Sequence, residues 1–256
     1  MHLKILPISA FKDNYIWAII DQNNHLCVVD PGDAKPVIKF IDDNQLTLDT
    51  ILITHHHHDH IGGVAELAEK YQPTIFGFEN SNVANITYTV VDGDSIQLDK
   101  FNLTFTILEI PGHTLDHIAY YSPGILFCGD TLFSAGCGRV FEGTNEQMLN
   151  SLHSLANLPD DTMVYCAHEY TLSNLKFAQA VDPNNKLMLD YMEKVKKIRE
   201  NNHPTLPSEL KLEKEVNPFL RVSEPAVKMA AEQHVGYPLN TSVDVFTALR
   251  EWKNTF

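Results

Sequence analysis

The segment His55–His60 holds five of the 13 histidines of the chain and one aspartate, in the order His-His-His-His-Asp-His. It follows the apolar run Ile51–Ile53, so these side chains are expected on a loop at the end of a strand. Imidazole nitrogens with a carboxylate are typical ligands of zinc, iron or manganese. Alternate residues of an extended stretch point the same way, so His55 and His57 can bind one ion. A solvated histidine run and an engineered tag are the alternatives, but a tag normally stands at a terminus.

Three further segments place a ligand-type side chain just past a predicted strand: His113 after 103–110, Asp130 after 125–129 and His168 after 163–166. A single histidine at such a place is more often a hydrogen-bonded loop residue, so each segment alone is a weak indication. Asp59 and His60 are available to a second ion, and the candidate ligands are therefore His55, His57, Asp59, His60, His113, Asp130 and His168. This set suits two divalent ions that share one carboxylate and are bridged by a water-derived hydroxide.

The elements that must position these ligands are short strands mixed with helices, which predicts an α/β fold. Strands are predicted at 15–20, 26–30, 50–54, 74–78, 103–110, 117–121, 125–129 and 163–166. Helices are predicted at 62–71 and 145–157, and Thr144 with Gln147 fits a capping box for the second of them.

After about residue 170 the pattern changes to helices alone, at 172–181, 185–201, 224–235 and 242–254. Ser223 and Thr241 are expected N-caps, and Gly236 is expected to end the third helix. The proline-containing stretch 202–218 is expected to be a connector or loop. We therefore predict a metal domain over 1–170 and a helical substrate-binding domain over 171–256.

Composition restricts the partners. The chain has 19 basic and 33 acidic residues, a net charge of −14, which argues against a nucleic-acid partner. No apolar run approaches the roughly 20 residues that span a bilayer, and no signal peptide is expected from the first residues. The four cysteines form no Cys-x-x-Cys pair, so we expect free thiols and a cytoplasmic location. A monomer is the default expectation.

The order His-x-His-x-Asp-His, Gly-His-Thr, Gly-Asp-Thr and a later histidine resembles the metallo-β-lactamase fold superfamily of binuclear hydrolases. The resemblance covers residues 1 to about 170 and implies an αββα sandwich with the metals at one edge. It also implies a partition of the ligands. The first metal would be held by His55, His57 and His113, the second by Asp59, His60 and His168, and Asp130 would bridge the two.

Finer motifs resemble the glyoxalase II family, the hydroxyacylglutathione hydrolases, over essentially the whole chain. They are Phe11–Tyr15, Asp30–Gly32, Cys137–Thr144, His168–Thr171 and the C-terminal Arg250–Lys253. The resemblance implies hydrolysis of S-(2-hydroxyacyl)glutathione, such as S-D-lactoylglutathione, to glutathione and D-lactate. This is the second step of methylglyoxal detoxification. Two divalent ions are implied, foremost zinc, although iron and manganese also accept this ligand set.

Glutathione carries carboxylates, and the acidic excess of the chain lies within 1–170, so cations are expected from the C-terminal helices. Arg250 and Lys253 are three residues apart on a predicted helix and hence on one face. By resemblance they bind the glycine carboxylate with help from Arg139 and Tyr170. Phe141 stands where versions of the family place a tyrosine, so one hydroxyl contact to the tripeptide would be missing. An ordinary exposed helix face is the alternative reading of the Arg-Lys pair.

The implied mechanism is attack of the bridging hydroxide on the thioester carbonyl, with the metals stabilising the oxyanion. The leaving thiolate has an ordinary pKa of about 8.5 and needs no strong general acid. Asp59 and Asp130 are expected to orient neighbouring groups and to set the charge of the metals.

Rival functions are weaker. A β-lactamase would usually be exported, and an RNA-processing nuclease would need a basic face. An oxygen-reducing diiron flavoprotein would carry glutamate in place of His57. A glutathione persulfide dioxygenase would use one iron and would lack the helical Arg-Lys tail. A non-catalytic metal-binding protein is the remaining alternative, which the full ligand set disfavours.

Overall fold

The computed structural model describes residues 3–256, which form two compact units. The first unit extends to Glu109 and includes Asp116–Gly129. The second comprises Ile110–Leu115 and Asp130–Phe256. The two candidate histidines His55 and His113 therefore belong to different units.

The first unit contains a sheet in the order β1-β2-β3-β4-β5-β6, antiparallel through β3 and parallel beyond it. The strands are β1 Lys4–Ala10, β2 Asn14–Ile20, β3 His25–Val29, β4 Thr47–Leu52, β5 Thr74–Phe78 and β6 Tyr88–Val90. The helices of this unit are α1 Ala34–Asn44, α2 His58–Ile61 and α3 Val64–Tyr71. Val37 of α1 and Leu67 of α3 are buried in the same apolar cluster as Ile51 of β4, so both helices cover this sheet.

A second, antiparallel ladder of the same unit runs β7-β8-β9-β10. Its strands are β7 Ser95–Leu98, β8 Leu103–Glu109, β9 Ile118–Ser122 and β10 Ile125–Phe127. The Tyr120 hydroxyl of β9 donates to the carbonyl oxygens of Ile53 at 2.9 Å and Phe76 at 3.2 Å. Because Tyr120 is fully buried, desolvation raises the pKa of its hydroxyl, and the group stays a donor. Tyr120 therefore links the second ladder to the end of β4 and to β5 of the first sheet.

The second unit is mainly helical. Its elements are β11 Leu132–Phe133, β12 Gly136–Cys137, α4 Asn145–Ala156, β13 Met163–Tyr165, α5 Thr171–Val181, α6 Lys186–Glu200, β14 Ser208–Glu209, α7 Leu210–Val216, α8 Pro225–Val235 and α9 Ser242–Thr255. Leu175, Met188, Val195 and Val216 join α5, α6 and α7 in one apolar cluster. Phe219 stacks on Phe177 of α5 with ring centroids 5.9 Å apart.

Most predicted elements are confirmed within two or three residues. The Thr144–Gln147 capping box, the Thr241 N-cap and the left-handed Gly236 at the end of α8 are confirmed. The Ser223 N-cap is wrong because Glu224 precedes the helix and Pro225 occupies its first position.

The expected connector at 202–218 is partly wrong, since it contains α7 and the short β14. The prolines interrupt only its first part. The sequence analysis also missed β1, whose Pro7 weakens the strand pattern. That strand lies at the edge of its sheet, where proline is tolerated. Among residues 3–256, no helix has the length and apolar character needed to cross a bilayer.

We predict that Thr241→Ala destabilises the protein through α9. The Thr241 hydroxyl accepts the Asp244 N–H, and the Asp244 carboxylate accepts the Thr241 N–H. Loss of an N-cap costs about 1 kcal/mol in the free energy of unfolding, measured by urea denaturation. Thr255→Ala, at the exposed end of the same helix, serves as the control and should change this free energy by less than about 0.5 kcal/mol. Equal effects of the two variants would contradict the capping role.

Candidate metal centre

The histidine segment of the first unit is non-helical in its first part and helical in its second part. Residues 53–57 are non-helical, and His57 is the extended N-cap residue of α2, which contains Asp59 and His60. The ring centroid of His55 lies 4.8 Å from that of His57 and 4.1 Å from that of His60. The first unit thus gathers these three rings at the end of β4. His56 faces elsewhere, with Nδ1 2.8 Å from Asp116 Oδ1, as expected for a residue between two ligands.

Asp30, directly after β3, fixes the orientation of two of these rings. Its carboxylate accepts from the Thr54 hydroxyl at 2.7 Å and lies 3.0 Å from His60 Nδ1. Since a carboxylate only accepts, His60 donates from Nδ1. The Thr54 hydroxyl uses its only hydrogen to donate to Asp30, so it acts as the acceptor for His55 Nδ1 at 3.0 Å. In the neutral form both rings therefore carry their lone pair on Nε2, the atom that a metal requires.

Asp59 is held by β2 and by a close backbone contact. The Asn14 amide donates to Asp59 Oδ2 at 3.0 Å. A Cβ atom at Gly32 would lie 1.8 Å from the Asp59 carbonyl oxygen, so only glycine permits this approach. The same Oδ2 atom lies 3.5 Å from His60 Nε2. Two acceptor atoms at this separation are compatible with one cation between them.

In the second unit, Asp130 is shared by two histidines. Its Oδ2 lies 3.4 Å from His113 Nε2, and its Oδ1 lies 3.3 Å from His168 Nε2. All three residues are buried. Metal–ligand bonds of about 2.1 Å in a tetrahedral arrangement place neighbouring donor atoms about 3.4 Å apart. The donor set and its spacing therefore fit one metal ion at each oxygen of Asp130.

The backbone of the second unit orients His113. Its Nδ1 donates to the Arg139 carbonyl oxygen at 2.7 Å, which places the lone pair of the neutral ring on Nε2. A Cβ atom at Gly138 would lie 1.8 Å from the Asp130 carbonyl oxygen, so the chain returns past Asp130 without space for a side chain. The stretch 130–139 therefore begins with the candidate ligand Asp130 and ends at the carbonyl group that orients the candidate ligand His113.

Three residues predicted to bind substrate lie beside these ligands. The Phe141 ring is 60% exposed and its centroid lies 5.3 Å from that of His113. The Arg139 guanidinium lies 5.9 Å from the Phe141 ring centroid. Tyr170 stacks on His168 with centroids 4.7 Å apart. Arg139, Phe141 and Tyr170 are thus brought to the histidines of the second unit.

Arg250 and Lys253 have different surroundings on α9. Arg250 is 6% exposed, and its Nη1 donates to the Cys137 carbonyl oxygen at 2.8 Å, so its guanidinium is engaged with backbone. Lys253 is half-buried, with Nζ 3.5 Å from the Ser173 carbonyl oxygen. Burial, followed by the Arg250 charge, lowers the pKa of Lys253. A negative charge placed beside Lys253 would favour its charged form.

Comparison with known proteins identifies the chain. Residues 14–168 match the family model described as the metallo-β-lactamase superfamily, and 169–256 match the hydroxyacylglutathione hydrolase C-terminus. The chain is 53% identical to the hydroxyacylglutathione hydrolase of Aliivibrio fischeri over 99% of this chain and 100% of that protein. It is 49% identical to the one of Nitrosomonas eutropha over 99% of both chains. The chain belongs to the hydroxyacylglutathione hydrolase family. The resemblance stated from the motifs is confirmed.

Solved structures confirm the fold class of this hydroxyacylglutathione hydrolase family member. The B3 metallo-β-lactamase BLEG-1 superposes with a TM-score of 0.64 at 21% identity, covering 86% of this chain and 99% of that one. ETHE1 from Myxococcus xanthus superposes with a TM-score of 0.59 at 29% identity, covering 84% of this chain and 96% of that one. The fold is the metallo-β-lactamase fold with a C-terminal helical region.

The sequence analysis quoted Asp30 and Asn14 within family motifs but assigned them no role. The position of Asp30 directly after a strand, which resembles that of the candidate ligands, could have indicated a role at the site. Asn14 lies 45 residues from Asp59, and nothing in the local pattern connects them. Asp116, which pairs with His56, was missed for the same reason.

We predict that Asp30→Asn weakens binding of Zn²⁺ by about 10–100-fold, because both Asp30 oxygens accept, one from the Thr54 N–H and the other from His60 Nδ1, and an amide NH2 group would face one of these donors. The affinity is measured by competition with a chromophoric chelator. Asp21→Asn is the matched control, since Asp21 is also a buried carboxylate and accepts from the His25 N–H at 2.8 Å. Equal zinc affinity of the two variants would contradict the role of Asp30.

Proposed function

We propose that the protein hydrolyses S-(2-hydroxyacyl)glutathione thioesters, S-D-lactoylglutathione among them, to glutathione and the 2-hydroxy acid. The observation that carries this proposal is full-length similarity, at about half of all positions, to proteins named hydroxyacylglutathione hydrolase. Both parts of the chain take part in that similarity, the metal-ligand motifs and the C-terminal helices. D-lactate is the product expected from the lactoyl substrate, in the second step of methylglyoxal detoxification.

The proposal includes two divalent metal ions. His55, His57 and His113 would hold the first ion, Asp59, His60 and His168 would hold the second, and Asp130 would contribute one oxygen to each. Support comes from the two distances around Asp130 and from the hydrogen bonds that set the tautomers of His55, His60 and His113. Zinc suits imidazole and carboxylate donors, and iron or manganese would also be accepted.

The bound ions would supply Lewis acidity, lowering the pKa of water to about 7 and polarising the thioester carbonyl. The protein residues then have defined tasks. Asp30 keeps His60 in the metal-binding tautomer, and Asn14 holds the Asp59 carboxylate. Departure of glutathione as a thiolate, with a pKa of about 8.5, requires no proton donor from the protein.

For the substrate, we propose that Lys253 binds the glycine carboxylate of glutathione, assisted by Arg139 and Tyr170. Lys253 is the accessible cation of α9, and its lowered pKa marks a site where added negative charge is favourable. Arg250 contributes positive charge beside it while its Nη1 donates to the Cys137 carbonyl oxygen. Phe141 offers an exposed ring without a hydroxyl.

The alternatives of a glutathione persulfide dioxygenase and of a non-catalytic metal-binding protein gain no support from the comparisons. The functional division at residue 170, the cytoplasmic location and the monomeric state stay predictions from the sequence.

The activity is tested by steady-state release of thiol from S-D-lactoylglutathione, with the metal content measured on the same sample. We predict rapid release with about two metals per chain, and loss of release to background in His55→Ala and Asp130→Ala. His153→Ala is the matched control, because His153 is exposed on α4, and it should retain parental activity. No release from a fully metallated sample would contradict the proposed function.

Lys253→Ala tests the substrate site. We predict that KM for S-D-lactoylglutathione rises about tenfold, the effect of losing one charge-assisted contact, while kcat stays near the parental value. Lys228→Ala on α8 removes an exposed lysine of the same unit and should leave both constants unchanged. A fall in kcat without a change in KM would contradict a binding role for Lys253.

A further inference from the structure

A hairpin of the second unit lies between the candidate ligand Asp130 and the backbone acceptor that orients His113. Leu132 and Phe133 of β11 pair with Cys137 and Gly136 of β12. Asp130 lies two positions before Leu132, the first residue of the hairpin. At its other end, the Arg139 carbonyl oxygen accepts from His113 Nδ1. Any displacement of this hairpin would therefore move Asp130 and the acceptor that orients His113.

The turn of the hairpin is conformationally unfavourable on its own. Ala135 has a φ of 54°, in the left-handed region that an alanine rarely occupies. Its N–H donates to Glu213 Oε2 at 2.7 Å, across 78 residues of sequence. The carboxylate of Glu213 therefore stabilises the turn at its least favourable residue.

Side chains from three helices hold the same turn. Asn217, next to the end of α7, donates to the carbonyl oxygens of Phe133 at 3.1 Å and Gly136 at 2.8 Å. The Asn174 amide of α5 donates to the Ser134 carbonyl oxygen at 3.1 Å. The Ser134 hydroxyl lies 3.0 Å from the Tyr191 hydroxyl of α6. These contacts fix the backbone on both sides of Ala135.

Glu213 is unusual because it is a carboxylate with 0% exposure. Burial raises its pKa, and the groups that lower it are neutral donors, namely the Ala135 N–H and the side chains of Ser208, Ser134 and Asn217. Placing an ionisable group in such surroundings is costly compared with an apolar side chain. The need for a strong acceptor for the Ala135 N–H accounts for the presence of Glu213 here.

We propose that Glu213 is a positioning residue of the metal centre, which fixes the Asp130–Arg139 hairpin and thereby the placement of Asp130 and His113. The inference rests on the proposed function only in that Asp130 and His113 bind metal. It gives the C-terminal helices a second task beside substrate binding. They hold the metal ligands through the hairpin.

The test compares Glu213→Leu and Glu213→Gln with the parent for Zn²⁺ affinity, measured by competition with a chromophoric chelator. Leucine removes the acceptor, so affinity should fall at least about tenfold, the usual effect of losing a residue that orients a ligand. Glutamine keeps an acceptor oxygen for the Ala135 N–H and should restore affinity to near the parental value. Zinc affinity of Glu213→Leu equal to that of the parent would overturn the proposal.

Asp182→Asn is the matched control for general destabilisation. Asp182 is a buried carboxylate of the same unit, and it pairs with Arg221 at 2.8 Å away from the hairpin. It should lower the melting temperature without a change in zinc affinity. An equal loss of zinc affinity in Asp182→Asn would show that destabilisation alone causes the effect, and would overturn the proposal.

Asn174→Ala provides a second variant if Glu213→Leu fails to fold. It removes the bond to the Ser134 carbonyl oxygen and should also weaken zinc affinity, with a changed absorption spectrum when cobalt replaces zinc. Parental affinity and spectrum in Asn174→Ala would overturn the proposal. Because these measurements need no substrate, they separate failure of this inference from failure of the thioesterase activity.

Discussion

One carboxylate that faces two imidazoles is the constraint on which the rest of this protein depends. Each oxygen of Asp130 lies 3.3–3.4 Å from the Nε2 atom of a different histidine, His168 or His113. For His113, the Arg139 carbonyl oxygen keeps the ring proton on Nδ1, so two acceptors approach each other. A buried arrangement of acceptors is unfavourable without a cation, which supports the proposed metal ions at both oxygens.

The fold satisfies this constraint by fixing the side chains of three of the candidate ligands. Asp30 fixes His60, Asn14 holds Asp59, and the Arg139 carbonyl oxygen fixes His113. Gly32 and Gly138 allow backbone to approach the ligand-bearing segments more closely than any side chain would permit. Orientation established during folding costs nothing when substrate arrives, which is the condition for efficient electrostatic catalysis.

Local patterns in the sequence were sufficient to select the candidate ligands and to predict most elements. A polar residue after an apolar strand marked His55, His113, Asp130 and His168, and capping residues marked α4 and α9. Contacts between distant residues were not accessible, because Asp30 meets His60 across 30 residues and Glu213 meets Ala135 across 78. Arg250 was expected to bind substrate. It is buried, and its Nη1 donates to the Cys137 carbonyl oxygen, a structural contact that helical spacing cannot indicate.

Anomalous diffraction from crystals of the zinc-loaded protein, recorded at the zinc edge, tests the central claim most directly. We predict two peaks per chain, each about 2.0–2.2 Å from a different oxygen of Asp130. The first should also contact His113 and the second His168. A single peak, or two peaks of which only one contacts Asp130, would contradict a carboxylate shared between two metal ions.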